Sequence, residues 1–233
     1  MWRMAFRDRR EAGRELAGQL LDLAQERPIV IALPRGGVPV AYEIARALHA
    51  PLGIFGVRKL GAPANPERAV GAIAEDGSVV LDSDTARRVG FSQSSLDATL
   101  EREERALRHA VERYRRGRQP LGFAGRTVIV VDDGLATGLT ALAAVRALRD
   151  GGTARIIVAT PVGARQSVGL LGREADGVVC SLIPHTLVSV GFHYRDFSPV
   201  SEEEAIALLD DAANEHATAA EQAALQPSAR PDA

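Results

Sequence analysis

The chain has 233 residues, of which 46% are hydrophobic and 25% charged, and its formal net charge is −2. Length and composition favour one well-buried α/β domain with additions. The near-neutral charge gives no general attraction to nucleic acid or to a membrane surface, and no stretch approaches the roughly 20 apolar residues of a membrane span. The single cysteine, Cys180, excludes an intramolecular disulfide, and its apolar setting favours a buried thiol over a nucleophile. We expect a cytoplasmic protein.

The predicted elements alternate between helices and strands along most of the chain. Asp8 can cap a first helix that runs to about Arg27. Helical stretches, among them 40–48 and 141–149, separate most of the strands that follow. This alternation predicts an α/β fold with a doubly wound, mostly parallel five-stranded sheet, whose ligand site lies at the carboxyl ends of its strands. The strands are predicted at about 29–33, 52–57, 127–132, 155–160 and 177–182.

Two insertions interrupt this alternation. The segment 61–83 has a hairpin signal at 75–78, between two apolar runs, and is either a lid or an exposed hairpin without a ligand. The helix from about 92 to 116 carries an apolar stripe, so it packs against the body or against a second subunit, and a homodimer is one expectation. Its basic and aromatic end, 113–118, permits an RNA-binding interpretation. We favour a structural role for these residues, because cations stabilise the C-terminus of any helix. No wider basic face accompanies the basic residues at 113–118, as RNA binding would require.

The C-terminal part is predicted to be irregular and then helical. A hood-like segment at about 183–212 contains Phe192 and Tyr194, and ends in a helix that Ser201 caps and that runs to about Asp211. The alanine-rich tail, 213–233, is expected to be disordered. A single domain at 1–212 follows from this division.

The most informative stretch is Val128–Thr140, where a buried strand is followed by a turn of small and hydroxyl residues and then a helix. Backbone N–H groups at such a helix N-terminus can hold a phosphate without a cationic side chain. A P-loop would need Lys where this chain has Leu139, which argues against a nucleotide triphosphatase. Two carboxylates, Asp132 and Asp133, fit a ligand that carries hydroxyl groups near its phosphate, as ribose 5-phosphate does. Gly134 permits the chain to leave the strand, which both carboxylates need in order to serve one sugar.

This segment resembles the phosphoribosyl-pyrophosphate (PRPP) motif of the type I phosphoribosyltransferases. The resemblance implies an enzyme of nucleotide metabolism that transfers a 5-phosphoribosyl group from PRPP to a small nitrogenous base and releases pyrophosphate. It implies Mg²⁺ as cofactor, bound mainly through PRPP. Asp132 and Asp133 become the candidate catalytic pair, because in that family the acidic pair holds the ribose 2′- and 3′-hydroxyls. The candidate PRPP-binding residues are Asp132, Asp133, Gly134, Leu135, Ala136, Thr137, Gly138, Leu139 and Thr140.

A pyrophosphate site is expected at two further strand ends. Arg35, Gly36 and Gly37 follow the first strand, where the guanidinium offers a planar fork and the glycines expose backbone amides. Arg58 and Lys59 follow the strand predicted at 52–57, at the edge where ligands bind in parallel sheets. Both groups resemble pyrophosphate-binding positions of the family, in which the loop that follows closes over the substrates.

The acceptor base is not identified by the sequence. In this family a C-terminal hood covers the base, often with a stacked aromatic ring, which makes Phe192 and Tyr194 the candidates, although core packing explains the same rings equally well. Ala136 stands where 6-oxopurine salvage enzymes have an Asp that hydrogen-bonds the purine, so poor use of hypoxanthine and guanine is predicted. Two alternatives remain open. One is a PRPP- or nucleotide-sensing regulator without catalysis, and the other is an interaction protein centred on the 92–116 helix.

Overall fold

The computed structural model describes residues 6–62, 65–90 and 92–225, and its main feature is a five-stranded parallel sheet. The strand order in this sheet is β2-β1-β6-β7-β8, and a second, antiparallel sheet has the order β3-β4-β5. The strands are β1 Ile29–Ala32, β2 Leu52–Ile54, β3 Val57–Ala62, β4 Asn65–Ala74, β5 Val79–Leu81, β6 Thr127–Val131, β7 Arg155–Val162 and β8 Gly177–Leu182. The helices are α1 Arg9–Gly18, α2 Gly37–Leu48, α3 Ser83–Arg88, α4 Gln93–Arg115, α5 Leu139–Asp150, α6 Arg165–Leu171 and α7 Glu202–Leu225, with 3₁₀ turns at Leu21–Glu26 and Gly191–His193.

The central strands are buried on both faces, which explains their continuous β-branched sequences. Val30 and Ile129 point into the core formed with α1, α2, α4 and α7. Ile31 and Val130 point into the opposite core, formed with α5 and α6. Because successive side chains of a strand alternate between faces, one apolar run supplies both cores. The doubly wound fold predicted from the sequence is therefore confirmed.

The strand predicted at 52–57 is divided in the structure. β2 ends at Ile54, and the chain then enters the second sheet as β3. The Glu75 side chain accepts a hydrogen bond from the backbone N–H of Gly56 at 2.7 Å, and the backbone N–H of Glu75 donates to the carbonyl of Gly56 at 2.9 Å. Arg58 and Lys59 thus lie inside an antiparallel strand and do not end a parallel one. The predicted hairpin is present, and β4 extends it by pairing with β3 as well as β5.

Helix α4 packs on the body of the same chain. Ser92 caps it by accepting a hydrogen bond from the backbone N–H of Ser95 at 3.2 Å, and Leu107, Val111 and Tyr114 are buried. The basic residues at its end form ion pairs within the chain. Arg113 pairs with Glu202 at 2.7 Å, Arg115 with Glu75, Arg116 with Asp210 at 3.0 Å and Arg118 with Asp210 at 2.6 Å.

Two helix boundaries differ from the prediction. The first helix stops at Gly18, and a 3₁₀ turn continues to Glu26. The closing helix continues to Leu225, where the sequence predicted an end near Asp211 and a disordered tail, and residues 226–233 lie outside the described part. Leu208, Leu209 and Ala212 anchor α7 in the core, and high helix propensity carries the alanine-rich sequence beyond it. In the part of the chain that the structure describes, no helix is both long and apolar enough to cross a membrane.

Candidate active site

Two loops meet at the carboxyl ends of the neighbouring strands β1 and β6. The backbone N–H of Leu33 donates to the carbonyl of Val131 at 2.9 Å. A Cβ added to Gly37 would lie 2.5 Å from that carbonyl oxygen, and one added to Gly36 would lie 2.1 Å from Oδ2 of Asp133. At Gly37 close approach to backbone requires glycine, and at Gly36 a side chain would displace the Asp133 carboxylate, since real Cβ atoms do not come so near. The peptide bond between Pro34 and Arg35 is cis.

The acidic pair lies where the chain leaves β6. The strand ends at Val131, and the backbone N–H of Asp133 donates to Oδ1 of Asp132 at 2.9 Å. Burial raises the pKa of Asp132 well above its usual range, and the neighbouring Asp133 charge raises it further. Burial also raises the pKa of Asp133, while Arg9 opposes that rise. Two adjacent, partly buried carboxylates form a site that favours a cation or hydroxyl donors.

Arg9 is the residue of this site that the sequence did not indicate. It begins α1, and its Nε donates to Oδ2 of Asp133 at 2.7 Å. Its guanidinium carbon lies 3.8 Å from the centroid of the Phe197 ring. The two charged partners are 124 positions apart in the chain, and no local pattern connects them.

The turn 134–140 forms one side of a cavity of about 150 Å³. Gly138, at φ +76°, precedes the first turn of α5, so the backbone N–H groups of the helix start face this turn. The Oγ of Ser167 holds the turn by donating to the carbonyl of Ala136 at 2.6 Å. The second sheet closes the cavity from the other side, with Lys59 as its cation. The lining residues are Lys59, Ala69, Gly71, Gly134, Leu135, Ala136, Thr137, Gly138, Leu139 and Thr140.

The predicted pyrophosphate residues are distributed over two places. Lys59 lines the cavity of the 134–140 turn. Arg35 and Arg58 instead line a cavity of about 130 Å³ beside α4, together with Gly56 and Tyr114. Arg58 also pairs with Glu103 of α4 at 2.7 Å.

The hood brings Tyr194 and Phe192 to different environments. Tyr194 is 2% exposed, and its ring packs 5.4 Å from Phe6 and 5.0 Å from Phe197, between ring centroids. Its hydroxyl donates to the carbonyl of Asp133 at 2.7 Å. Burial and the charge of Asp133 raise the pKa of Tyr194, so the phenol stays protonated. Phe192 is 46% exposed and its ring meets that of His193 edge to face, with the centroids 5.7 Å apart, whereas Tyr194 supports the acidic loop.

The donor set suits a metal ion that arrives with its ligand. Among the described residues, no cluster of three or more His, Cys, Asp or Glu side chains could hold a metal ion. Mg²⁺ keeps several waters and binds through one or two carboxylates together with substrate phosphates. Asp132 and Asp133 can supply carboxylate oxygens of that kind. The remaining ligands of the ion would be phosphate oxygens and water.

Comparisons with known proteins identify the family of the chain. The family model described as phosphoribosyl transferase domain matches residues 7–195. A Mycobacterium tuberculosis protein named as a candidate phosphoribosyl transferase is 42% identical over 226 residues, which cover 97% of this chain and 50% of the relative. The chain therefore spans about half the length of the curated relatives it matches first. The bifunctional protein PyrR of Chloroflexus aurantiacus is 38% identical over 108 residues, 46% of this chain and 53% of PyrR.

A solved structure extends the comparison to three dimensions. The crystal structure of the protein TT1426 from Thermus thermophilus is 43% identical to this chain and superposes with a TM-score of 0.74. The superposition covers 89% of this chain and 99% of TT1426.

Proposed function

Because the chain belongs to the phosphoribosyl transferase family, we propose that it transfers the 5-phosphoribosyl group of PRPP to a nitrogenous base and releases pyrophosphate. The observation that carries the proposal is the contact between the two loops. The β1–α2 loop touches the Asp133 carboxylate at Gly36, and the 134–140 turn begins directly after that carboxylate. The 134–140 turn, the acidic pair and the β1–α2 loop thus follow one another. A ligand with a phosphate, a sugar and a second phosphate group matches this order.

The phosphate of ribose 5-phosphate would occupy the cavity of the 134–140 turn. The N-terminus of α5 provides backbone N–H donors and the positive end of a helix dipole, Thr137 and Thr140 line the same cavity, and Lys59 adds a full charge. The ribose hydroxyls would then donate to Asp132 and Asp133. Both carboxylates lie at the start of the same turn, so one sugar can reach them together.

The transfer step needs negative charge near the ribose and positive charge near the leaving group. The bond between C1 and the pyrophosphate oxygen breaks with its electron pair going to pyrophosphate, and a nitrogen lone pair of the base forms the new bond to C1. Asp132 and Asp133 stabilise the oxocarbenium-like charge that develops on the sugar. Arg35, Gly36, Gly37, Arg58 and Lys59 are proposed for the pyrophosphate, with Mg²⁺ on PRPP oxygens neutralising part of its charge when bound. The segment 61–83 would exclude water from the sugar.

The acceptor would lie under the hood, against the exposed ring of Phe192. Ala136 can neither accept nor donate a proton through its side chain, so residue 136 cannot act as general acid or base for a purine. We therefore propose an acceptor that reacts without proton transfer from residue 136, for example a base that is already anionic. Hypoxanthine and guanine are expected to be poor acceptors.

A scan of bases with Mg²⁺ and PRPP, followed by pyrophosphate release, tests this function. The protein should release pyrophosphate with one class of base and not with hypoxanthine or guanine. The double variant Asp132→Asn, Asp133→Asn should lose the release. PRPP binding without release for any base would favour a sensing regulator, and efficient conversion of hypoxanthine would contradict the argument from Ala136.

A further inference from the structure

The side chain of Arg9, at the start of α1, has three contacts, one with the acidic loop and two with the hood. Its Nε donates to Oδ2 of Asp133 at 2.7 Å, and its Nη1 donates to the carbonyl of Ser198 at 2.8 Å. The guanidinium also stacks on the ring of Phe197. The side chains of Arg9 and Asp133 are 10% and 15% exposed, so this ion pair lies largely outside the screening of solvent. An arginine held so firmly fixes its partner as well.

We propose that Arg9 is a positioning residue, which holds the Asp133 carboxylate in the orientation that accepts the ribose hydroxyls of PRPP and connects that carboxylate to the hood. The inference rests on the proposed function, because it assigns Arg9 a task at the same ribose site. Arg9 would act through Asp133 and would not touch the reacting atoms.

The charges around Asp133 explain why this position needs a cation. The neighbouring carboxylate of Asp132 repels it, the hydroxyl of Tyr194 reaches only its carbonyl, and the β1–α2 loop presents the uncharged Gly36. Among the described residues, Arg9 is the one cation recorded in an ion pair with Asp133. The nearby Arg10 and Arg14 are directed to the buried Glu43, at 2.6 and 3.0 Å. One guanidinium thus offsets the charge of two adjacent acids.

The N-terminal segment and the hood together bind both the main chain and the side chain of Asp133. The backbone N–H of Phe6 donates to the carbonyl of His193 at 3.0 Å, and that of Arg195 donates to the carbonyl of Phe6 at 2.9 Å. Tyr194 lies between Phe6 and Phe197 and binds the main chain of Asp133, while Arg9 binds its side chain. A change in the hood at 192–198 would therefore move the carboxylate on which the ribose depends.

The test measures PRPP binding in the presence of Mg²⁺ by titration calorimetry for the wild type and for Arg9→Gln and Arg9→Lys. Arg9→Gln should weaken binding about tenfold or more, because a charge-assisted hydrogen bond is lost. Arg9→Lys should bind more tightly than Arg9→Gln but less tightly than the wild type, because lysine keeps the positive charge and lacks the planar guanidinium. The exposed Arg7→Gln is the matched control and should bind as the wild type does.

The outcomes separate the two proposals. If the wild type binds PRPP and Arg9→Gln binds it with the same affinity, the positioning role is overturned, even when the melting temperature falls. If Arg9→Gln does not fold, Arg9→Lys decides. Full wild-type affinity in this variant, which keeps the charge without the planar guanidinium, would overturn the fixed orientation. Absence of PRPP binding by the folded wild type overturns the proposed function itself, and the positioning role with it.

Discussion

The geometry of the acidic pair suits ligand binding, but its negative charge lowers the stability of the fold. Asp132 is partly buried beside a second carboxylate, and the guanidinium of Arg9 donates to Asp133. Burying a carboxylate without its own cation opposes folding whenever the group is ionised. The site therefore carries a stability cost that a neutral side chain of the same shape would not have.

Asp132→Asn should raise the melting temperature at neutral and alkaline pH. Asp132 has a raised pKa in the folded state, so its ionisation destabilises the protein above that pKa, and the penalty disappears below the ordinary Asp pKa of about 3.9. The gain from Asn should therefore shrink as the pH falls toward about 4. Thermal unfolding of both proteins over this range is the measurement. A variant that is less stable than the wild type at pH about 8 would show that the carboxylate is stabilised in its site.

Gly36→Ala tests the contact between the two loops. The added Cβ would lie 2.1 Å from Oδ2 of Asp133, so either the loop or the carboxylate must move, at a cost of about 1–3 kcal/mol. PRPP affinity should fall together with the free energy of unfolding, both measured on the same preparation. Gly169→Ala is the control, because no atom lies within 4 Å of its added Cβ and a helical Ala is favoured by roughly 0.5–1 kcal/mol. Equal changes in affinity and stability for Gly36→Ala and Gly169→Ala would contradict the contact between Gly36 and the Asp133 carboxylate.

The position of the acidic pair in the fold was predictable from the sequence, because its signals are local. The sequence placed Asp132, Asp133 and the following turn correctly at a strand end, because strand, glycine and helix signals stand side by side. It gave no sign of Arg9, because its contact with Asp133 depends on how α1 packs against the hood. Tyr194 shows the same limit, since its aromatic character did not distinguish a supporting residue from a base-stacking ring.

At the level of elements, the second sheet is part of the body rather than a separable loop. Val70, Ala72, Ile73 and Ala74 of β4 are buried, and they contribute to both cores. Ala69 and Gly71 of the same strand line the cavity of the 134–140 turn. The sequence predicted the hairpin from its turn residues but not the β3–β4 pairing, since the break after Ile54 depends on the contact between Gly56 and Glu75.

Glu75→Ala should weaken the attachment of α4 to the second sheet. Glu75 accepts hydrogen bonds from Arg115 of α4 and from the backbone of Gly56, and its side chain is 18% exposed. Loss of hydrogen bonds to a charged group should lower the free energy of unfolding by about 1.5–3 kcal/mol, as measured by urea denaturation. The exposed Glu101→Ala on α4 should change it by less than about 0.5 kcal/mol. A Glu75→Ala protein as stable as the Glu101→Ala protein would show that apolar packing alone holds the helix.

At the scale of the whole molecule, the alternation of strands and helices was sufficient to predict the architecture. Parallel strands with helical crossovers permit few arrangements, and all of them place loops such as 34–37 and 132–140 at one edge. Packing between distant segments, as between 6–9 and 192–198, has no such periodic signature. The chain also spans about half the length of its curated relatives, so the activity of a longer protein is a further question.

PRPP binding is the central claim, and titration calorimetry with Mg²⁺ tests it most directly. The wild type should bind PRPP at one site per chain, and saturation at about 100 times the dissociation constant should stabilise the fold by about 2.7 kcal/mol. The double variant Asp132→Asn, Asp133→Asn should remain folded and bind PRPP much more weakly. No heat and no stabilisation with the folded wild type at millimolar PRPP, or unchanged binding by the double variant, would contradict the account.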